Sequence, residues 1–319
     1  MHFDVFNGDA DGICALHQLR LANPVENTLV TGVKRDISLL KQVMAELGDQ
    51  VTVLDIAMSK NLDALNNLLE KGVAVEYFDH HIPGDIPDHP KLKAHIDTSA
   101  SVCTSLLVDQ HLAGRFRVWA VTAAFGDNLH DSARQAAQDL NLSATQLDSL
   151  RELGECLNYN AYGESTDDLF FHPAELFRRI HAYADPFQFI QEASEFGILK
   201  NGYAEDMQYA MEASPASEPR CGKIFILPEA PWARRISGVY GNELATNSPQ
   251  LAHAILTRKK GGGFLVSVRA PLATKSGADE LCSQFETGGG RKGAAGINHL
   301  PEDQLSRFEN LFAEIFRAK

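Results

Sequence analysis

No cysteine pair of the C-x-x-C kind occurs in the chain: its five cysteines, Cys14, Cys103, Cys156, Cys221 and Cys282, lie far apart in apolar surroundings. Such a set fits reduced, buried thiols and excludes a disulfide framework or a zinc site built from cysteine. Positive charge is scarce as well. With 29 Lys and Arg against 42 Asp and Glu, the net charge is -13. That argues against long duplex DNA as a partner, since non-specific affinity comes from neutralising phosphates with basic side chains. Missing too is any run near the roughly 18 apolar residues of a membrane span, and Met1-His2-Phe3-Asp4 leads into a strand-like segment rather than a basic, apolar signal peptide. A cytoplasmic protein without membrane attachment is expected.

What is present is ordinary for a folded chain. Hydrophobic residues make up 44% and charged residues 22% of 319 residues, a length for which two domains are the default. The charge is uneven. Residues 216–319 hold 14 Lys and Arg against 10 Asp and Glu, a surplus of four, which leaves the first 215 residues at -17. An acidic first part suited to cations and a mildly basic second part suited to phosphates is the division this suggests.

Short apolar runs alternate with amphipathic ones through the first hundred residues: 3–6, 13–21, 28–33, 39–47, 51–56, 62–69 and 73–78. This is the rhythm of βαβ units around a mostly parallel sheet. The runs at 51–54 and 73–78 are nearly continuous, as in strands covered on both faces, and each is followed or ended by an aspartate, Asp55 and Asp79. Ligands of such sheets gather at the carboxyl ends of the strands. From Ser101 to about Ala210 the pattern turns helical, interrupted at Asp185-Pro186, and the segment 212–219, with two prolines, reads as a linker. Beyond it, strands at 223–227, 251–258 and 264–269 and helices at 233–245 and 278–285 form a second, smaller α/β domain. The expected division is a catalytic domain over 1–195, a connecting helix and linker over 196–219, and a substrate-binding domain over 220–319.

Four islands of the first domain offer hard metal ligands: Asn7-Gly8-Asp9-Ala10-Asp11-Gly12, Asp55, Asp79-His80-His81 and Gly126-Asp127-Asn128. Carboxylates with an imidazole suit Mn²⁺ or Mg²⁺ better than structural zinc. A divalent ion so held can activate water and neutralise a phosphoryl oxygen. Singly, each island also reads as a cap or a turn. The first resembles a calcium loop but carries Gln18 where an EF-hand needs glutamate.

Taken together and in this order, the islands resemble the motifs of the DHH phosphoesterase family over essentially the whole chain. Asp79-His80-His81 matches the name motif, residues 7–12 the first motif, Val53-Leu54-Asp55 the second and Ala124-Phe125-Gly126-Asp127 the fourth; His95-Ile96-Asp97 and Ser99-Ala100-Ser101 fit the pattern after the name motif. The resemblance implies that Asp9, Asp55, His80 and Asp127 bind Mn²⁺, with Mg²⁺ as the alternative, as one ion or two, Asp55 bridging where there are two. It further implies that His81 contacts the scissile phosphate, that Asp79 orients its neighbours, and that Asp11 supplements the first motif. Asp97 is either a further orienting residue or a cap.

Two positions depart from the family pattern. Members acting on very short RNA place a histidine and an aspartate where this chain has Phe3 and Asn7. Asn7 is a neutral, weaker ligand and Phe3 is none, so a first ion site that is impaired, or completed only by substrate and water, is expected; exonuclease-type relatives manage without that histidine, and Asp11 is the residue that could compensate.

The second domain resembles the DHH-associated domain through Val266-Ser267-Val268-Arg269 and the glycine-rich stretch 288–296. Arg269, Gly288, Gly289, Gly290, Arg291 and Lys292 are its candidate substrate-binding residues, with Arg291 standing where the family has histidine. Alone, the run also reads as a glycine-rich hairpin, but with the Arg269 strand ahead of it the binding reading is favoured: glycines let backbone N–H groups approach phosphate oxygens, and a helix starting after them would add its dipole. The glycines at 261–263 read only as a hairpin turn. Asn158-Tyr159-Asn160-Ala161-Tyr162-Gly163 suits either base stacking or the packing of a helix end.

Hydrolysis of short linear nucleotides to mononucleotides is the function this points to, with diribonucleotides such as pGpG or very short RNAs as substrates held between the two domains. A 3′-phosphoadenosine 5′-phosphate phosphatase and a catalytically weak nucleotide-binding regulator are the alternatives. Pyrophosphate and polyphosphate are disfavoured, since the relatives that cleave them carry a different second domain. A homodimer is left open.

Overall fold

Apolar residues repeating at every second position place the first sheet. In β1 (His2–Asn7), Phe3 and Val5 pack on one face and Phe6 on the other, so both faces are covered. The computed structural model describes Met1–Arg317, in two compact units that divide between Asn201 and Gly202. In the first, β1, β2 (Thr28–Gly32), β3 (Gln50–Leu54), β4 (Ala74–Asp79) and β5 (Leu92–Ile96) form an all-parallel sheet in the order β2-β1-β3-β4-β5. The order reverses between β1 and β3. Their carboxyl ends therefore frame the crevice where an open α/β sheet takes its ligands.

One face is covered by α1 (Ala10–Ala22), whose Ile13 and Leu16 meet Phe6, Leu54 and Phe78. Against the other lie Leu65, Leu68 and Leu69 of α2 (Leu62–Glu70), packed on Val51, Val53, Val75 and Tyr77. The expected amphipathic stretch over 39–47 is reduced to a single 3₁₀ turn, Leu39–Gln42. Its backbone turns extended at Val43, which leaves Met44 and Leu47 exposed.

The helical part comprises α3 (Thr104–His111), α4 (Arg117–Gly126), α5 (His130–Ala136), α6 (Ala144–Asn160), α7 (Pro173–Ile180), α8 (Pro186–Glu192) and α9 (Ser194–Met211). Ser143 and Gln146 close a capping box on α6, and Asp185 caps α8, so Asp185-Pro186 begins a helix as well as ending a series. A Cβ at Gly154 would stand 2.1 Å from the Thr122 carbonyl oxygen, so α6 and α4 touch at backbone distance.

The second unit is a mixed sheet of β6 (Gly222–Leu227), β7 (Ala252–Arg258), β8 (Phe264–Arg269), β9 (Gly288–Gly290) and β10 (Ala294–Leu300), ordered β6-β7-β8-β10-β9. α10 (Pro231–Asn247) joins the parallel pair β6 and β7, while α11 (Ala278–Cys282) and α12 (Leu305–Ile315) supply Leu281, Phe308 and Phe312 to its core. Gly261–Gly263 turn the hairpin from β7 to β8. Residues 212–219 belong to this unit, with the Ala216 and Ser217 N–H groups donating to Ile224. No helix of the described residues is long and apolar enough to cross a membrane. The architecture is the mixed α/β class expected.

Candidate metal centre

Asp9 follows β1 and serves as the N-cap of α1. Its Oδ1 accepts the N–H groups of Asp11 and Gly12 at 3.0 and 3.1 Å, which leaves Oδ2 for the site. The cap requires Gly12, because a Cβ there would meet the Asn7 carbonyl oxygen at 2.2 Å. Asp55 follows β3 with φ at 57°, a left-handed conformation that aspartate tolerates better than most residues, and donates its N–H to the Phe78 carbonyl oxygen. The chain turns sharply there, and the carboxylate is held buried.

His80 and His81 follow β4. The His80 Nδ1 lies 2.9 Å from the Val102 carbonyl oxygen, a partner that needs a donor, which leaves Nε2 as the atom turned to the site, 3.4 Å from Asp55 Oδ1. That is how ligating imidazoles are usually held. His81 pairs its Nδ1 with Asp79 Oδ1 at 2.7 Å and is the most open of the group, its side chain 38% exposed. Asp55, His80 and His81 each offer a ligand atom, all within 4.8 Å of one another, and they are the group of this kind found among the described residues.

The remaining expected residues surround them. Asp79 is fully buried, and its second oxygen has no protein partner. Asp127 caps the end of α4. Asn7 uses its side chain on the backbone, accepting from the Asp9 N–H at 3.3 Å and donating to the Lys34 carbonyl oxygen at 3.4 Å. Asp11, expected to supplement the first motif, is engaged on both oxygens by the N–H groups of Thr104 and Ser105, each at 2.7 Å. Phe3 is a core side chain. Asp97 accepts from the Ser99 N–H in a local turn.

One residue of the site was not anticipated. Lys34 stands just past β2, and its Nζ lies 2.5 Å from Asp9 Oδ2, 3.7 Å from Asp127 Oδ1 and 3.1 Å from Asn158 Oδ1. The signal for it was positional: the first of two adjacent cations, Lys34-Arg35, after a strand, at the same sheet edge as Asp9 and Asp55. Asn158 and Tyr162, from the segment of uncertain role, meet the same ammonium, the Tyr162 ring centroid being 5.7 Å away. Asn160 is instead structural, bonded on both sides of its amide to Phe171.

The electrostatics follow from this crowding. Burial pushes the Asp55 carboxyl well above the usual range, and the charges of Asp9 and Asp11 push it further. Asp9 is equally buried, yet the Lys34 ammonium outweighs burial and holds it below. Burial raises Asp11 as well. Buried carboxylates around one ammonium, an unpartnered Asp79 oxygen and an imidazole nitrogen oriented at Asp55 suit a hard divalent ion.

In the second unit, the glycine run is β9, an edge strand on β10, with Lys292-Gly293 in the turn between them. A strand follows the glycines, so the helix dipole expected there is absent. Their N–H groups belong to a hairpin. Arg291 and Lys292 are exposed on it. Arg269 donates to Asn242 Oδ1 at 2.6 Å and to the Gly238 carbonyl oxygen at 3.0 Å.

No protein-family profile and no curated protein sequence matches the chain. Solved structures do. Exonuclease RecJ bound to manganese aligns at 17% identity with a TM-score of 0.57, over all of this chain and 90% of that one. RecJ from Thermus thermophilus in complex with Mn²⁺ aligns at 18% and 0.64, over 100% of this chain and 52% of that one. The pGpG-specific phosphodiesterase PggH from Vibrio cholerae aligns at 14% and 0.57, over 99% of both chains. The chain thus has the fold of the DHH phosphoesterases.

Proposed function

We propose, from the DHH phosphoesterase fold, that the chain is a divalent-metal-dependent phosphodiesterase that cleaves short linear nucleotides, diribonucleotides such as pGpG foremost, to mononucleotides. The observation that carries this is the group Asp55, His80 and His81 at the carboxyl edge of the parallel sheet, with the His80 nitrogen fixed toward Asp55 by the Val102 carbonyl. Bound there, Mn²⁺ or Mg²⁺ would lower the pKa of a water and neutralise charge on the scissile phosphate. Asp55 and His80 hold the ion, with Asp9 and Asp127 beside them. His81, oriented by Asp79 and the most exposed of the group, donates to the phosphate. In the second unit, Arg269, Arg291 and Lys292, beside the glycine hairpin at 288–290, are the candidate groups for a nucleotide phosphate. The likeness to PggH over nearly the whole of both chains supports a dinucleotide over long RNA, as does the acidic charge of the first part.

A second reading, a nucleotide-binding regulator with little turnover, is favoured by one observation, Asn7 spent on backbone contacts where relatives carry an aspartate. One assay separates the two. Mononucleotide release from RNAs of two, three, five and ten nucleotides is followed with Mn²⁺ and with EDTA. The expected result is a metal-dependent rate highest for the dinucleotide. Equal rates at every length would favour a processive exonuclease, and binding without release would establish the regulator.

A further inference from the structure

The fold is shared with proteins solved with manganese, yet the coordinating pattern of this chain departs from the family at linked points. Phe3 is buried in the core, Asn7 replaces a carboxylate, and Lys34 brings in a cation. The last two are in contact, through the Asn7 amide and the Lys34 carbonyl oxygen. A negative ligand is gone and a positive charge stands among the carboxylates.

Lys34 is built into the site rather than lying across it. Its ammonium has three donors, and three oxygens from three elements surround it: Asp9 at the start of α1, Asp127 at the end of α4 and Asn158 near the end of α6. Both oxygens of Asp9 are engaged, Oδ1 in capping α1 and Oδ2 by the ammonium. A divalent ion using Asp9 and Asp127 would occupy the space of the ammonium or face its charge within a few ångströms. Asp55, His80 and His81 form a separate group, their offered atoms within 4.8 Å of one another. A second ion at Asp9 and Asp127 would have to displace the ammonium, whereas one at Asp55 and His80 would not.

We propose that Lys34 takes the place of one divalent ion, its ammonium clamping Asp9 and Asp127, so that the chain loads a single metal at Asp55 and His80, with His81 beside it. This rests on reading the site as a metal centre but not on what the enzyme cleaves. It places in the polypeptide a positive charge that a two-ion site takes from solution.

The test is metal stoichiometry without substrate. Mn²⁺ binding to the full chain is measured by calorimetry and by the paramagnetic resonance signal of bound Mn²⁺, in the wild type, Lys34→Met, Lys34→Gln and Lys34→Met/Asn7→Asp. One Mn²⁺ per wild-type chain is expected, with the spectrum of an isolated ion. Lys34→Met should bind two, with the spin-coupled spectrum of a pair, and Asn7→Asp should tighten the second about tenfold. Two ions in the wild type, none in the wild type, or one ion in every folded Lys34 variant would overturn the proposal. Circular dichroism identifies the folded variants, and Lys34→Gln, which keeps a polar partner for Asp9, stands in should Lys34→Met fail to fold. The outcomes separate the two readings: one bound Mn²⁺ with no nucleotide cleaved would sink the phosphodiesterase and leave Lys34's role, while an active wild type with two ions would do the reverse.

Discussion

Replacing Asp11 by alanine tests whether that carboxylate serves the metal or the scaffold. It sits in the first turn of α1, is 1% exposed, and accepts the N–H groups of Thr104 and Ser105, while the Ser105 hydroxyl donates back to the Asp11 carbonyl oxygen at 2.8 Å. Those two amides are the start of α3, whose own cap position, Cys103, has no side-chain acceptor. A residue of one helix thus caps another. Removing the carboxylate leaves two buried N–H groups unpaired, at about 1–3 kcal/mol each. Part is returned, because one negative charge leaves the neighbourhood of Asp9 and Asp55, so a net loss of about 2–4 kcal/mol is expected. For a unit of this size that lowers the melting temperature by about 5–15 °C. Asp11→Asn should lose nearly as much, since its amide nitrogen would face an N–H. Melting is followed by circular dichroism and Mn²⁺ stoichiometry by calorimetry on the same samples. An unchanged melting temperature with lost Mn²⁺ binding would refute the capping role and make Asp11 a ligand.

Acid stability gives an independent check. His17 is buried between the His181 ring and the Tyr183 carbonyl oxygen, and burial, with His181 beside it, holds its pKa down at about 3. Above the ordinary value of 6.5 the ring is neutral in folded and unfolded chains alike. As pH falls below that, the unfolded chain gains a proton that the folded chain refuses, so stability should decline by about 1.4 kcal/mol per pH unit toward pH 3. Urea melts from pH 7 to pH 4 on wild type and His17→Gln should give the shallower decline for the variant; identical slopes would count against it. Packing supplies a further case: Gly154→Ala forces a methyl onto the Thr122 carbonyl oxygen and should cost about 1–3 kcal/mol in a denaturant melt, with a neutral result showing that α4 and α6 can separate.

The parallel sheet was legible because its inner strands are covered on both faces and so read as continuous apolar runs, as at Val51–Leu54 and Val75–Phe78. β5 was not. Leu92-Lys93-Ala94-His95-Ile96 is an edge strand paired only with β4, and half-exposed residues leave no clear pattern. At β9 the run allowed both a hairpin and a phosphate loop, since three glycines carry no side chain to show a period. α12 escaped notice although Phe308 and Phe312 lie one turn apart. At the site, aspartates and histidines following strands could be placed from the strands themselves, because the carboxyl end of a parallel strand fixes which edge its next residue occupies. Lys34 obeys the same rule, but its side chain belongs to no ligand chemistry, so its residue type does not mark it as part of the site. The division of Asp11 between helices depends on a contact 93 residues distant, which no local pattern encodes.

The hairpin of β9 and β10 bears on how a ligand can be gripped. A run of glycines in a free loop would lose about 1–2 kcal/mol of backbone entropy per residue when a ligand fixed it. Here Gly288, Gly289 and Gly290 are already paired in register with Ile297, Gly296 and Ala295, and Arg291 and Ala294 exchange both of their backbone bonds across the turn. The chain gives up that freedom when it folds. An incoming phosphate would meet a backbone already set in place, and little of its binding energy would go into ordering the protein.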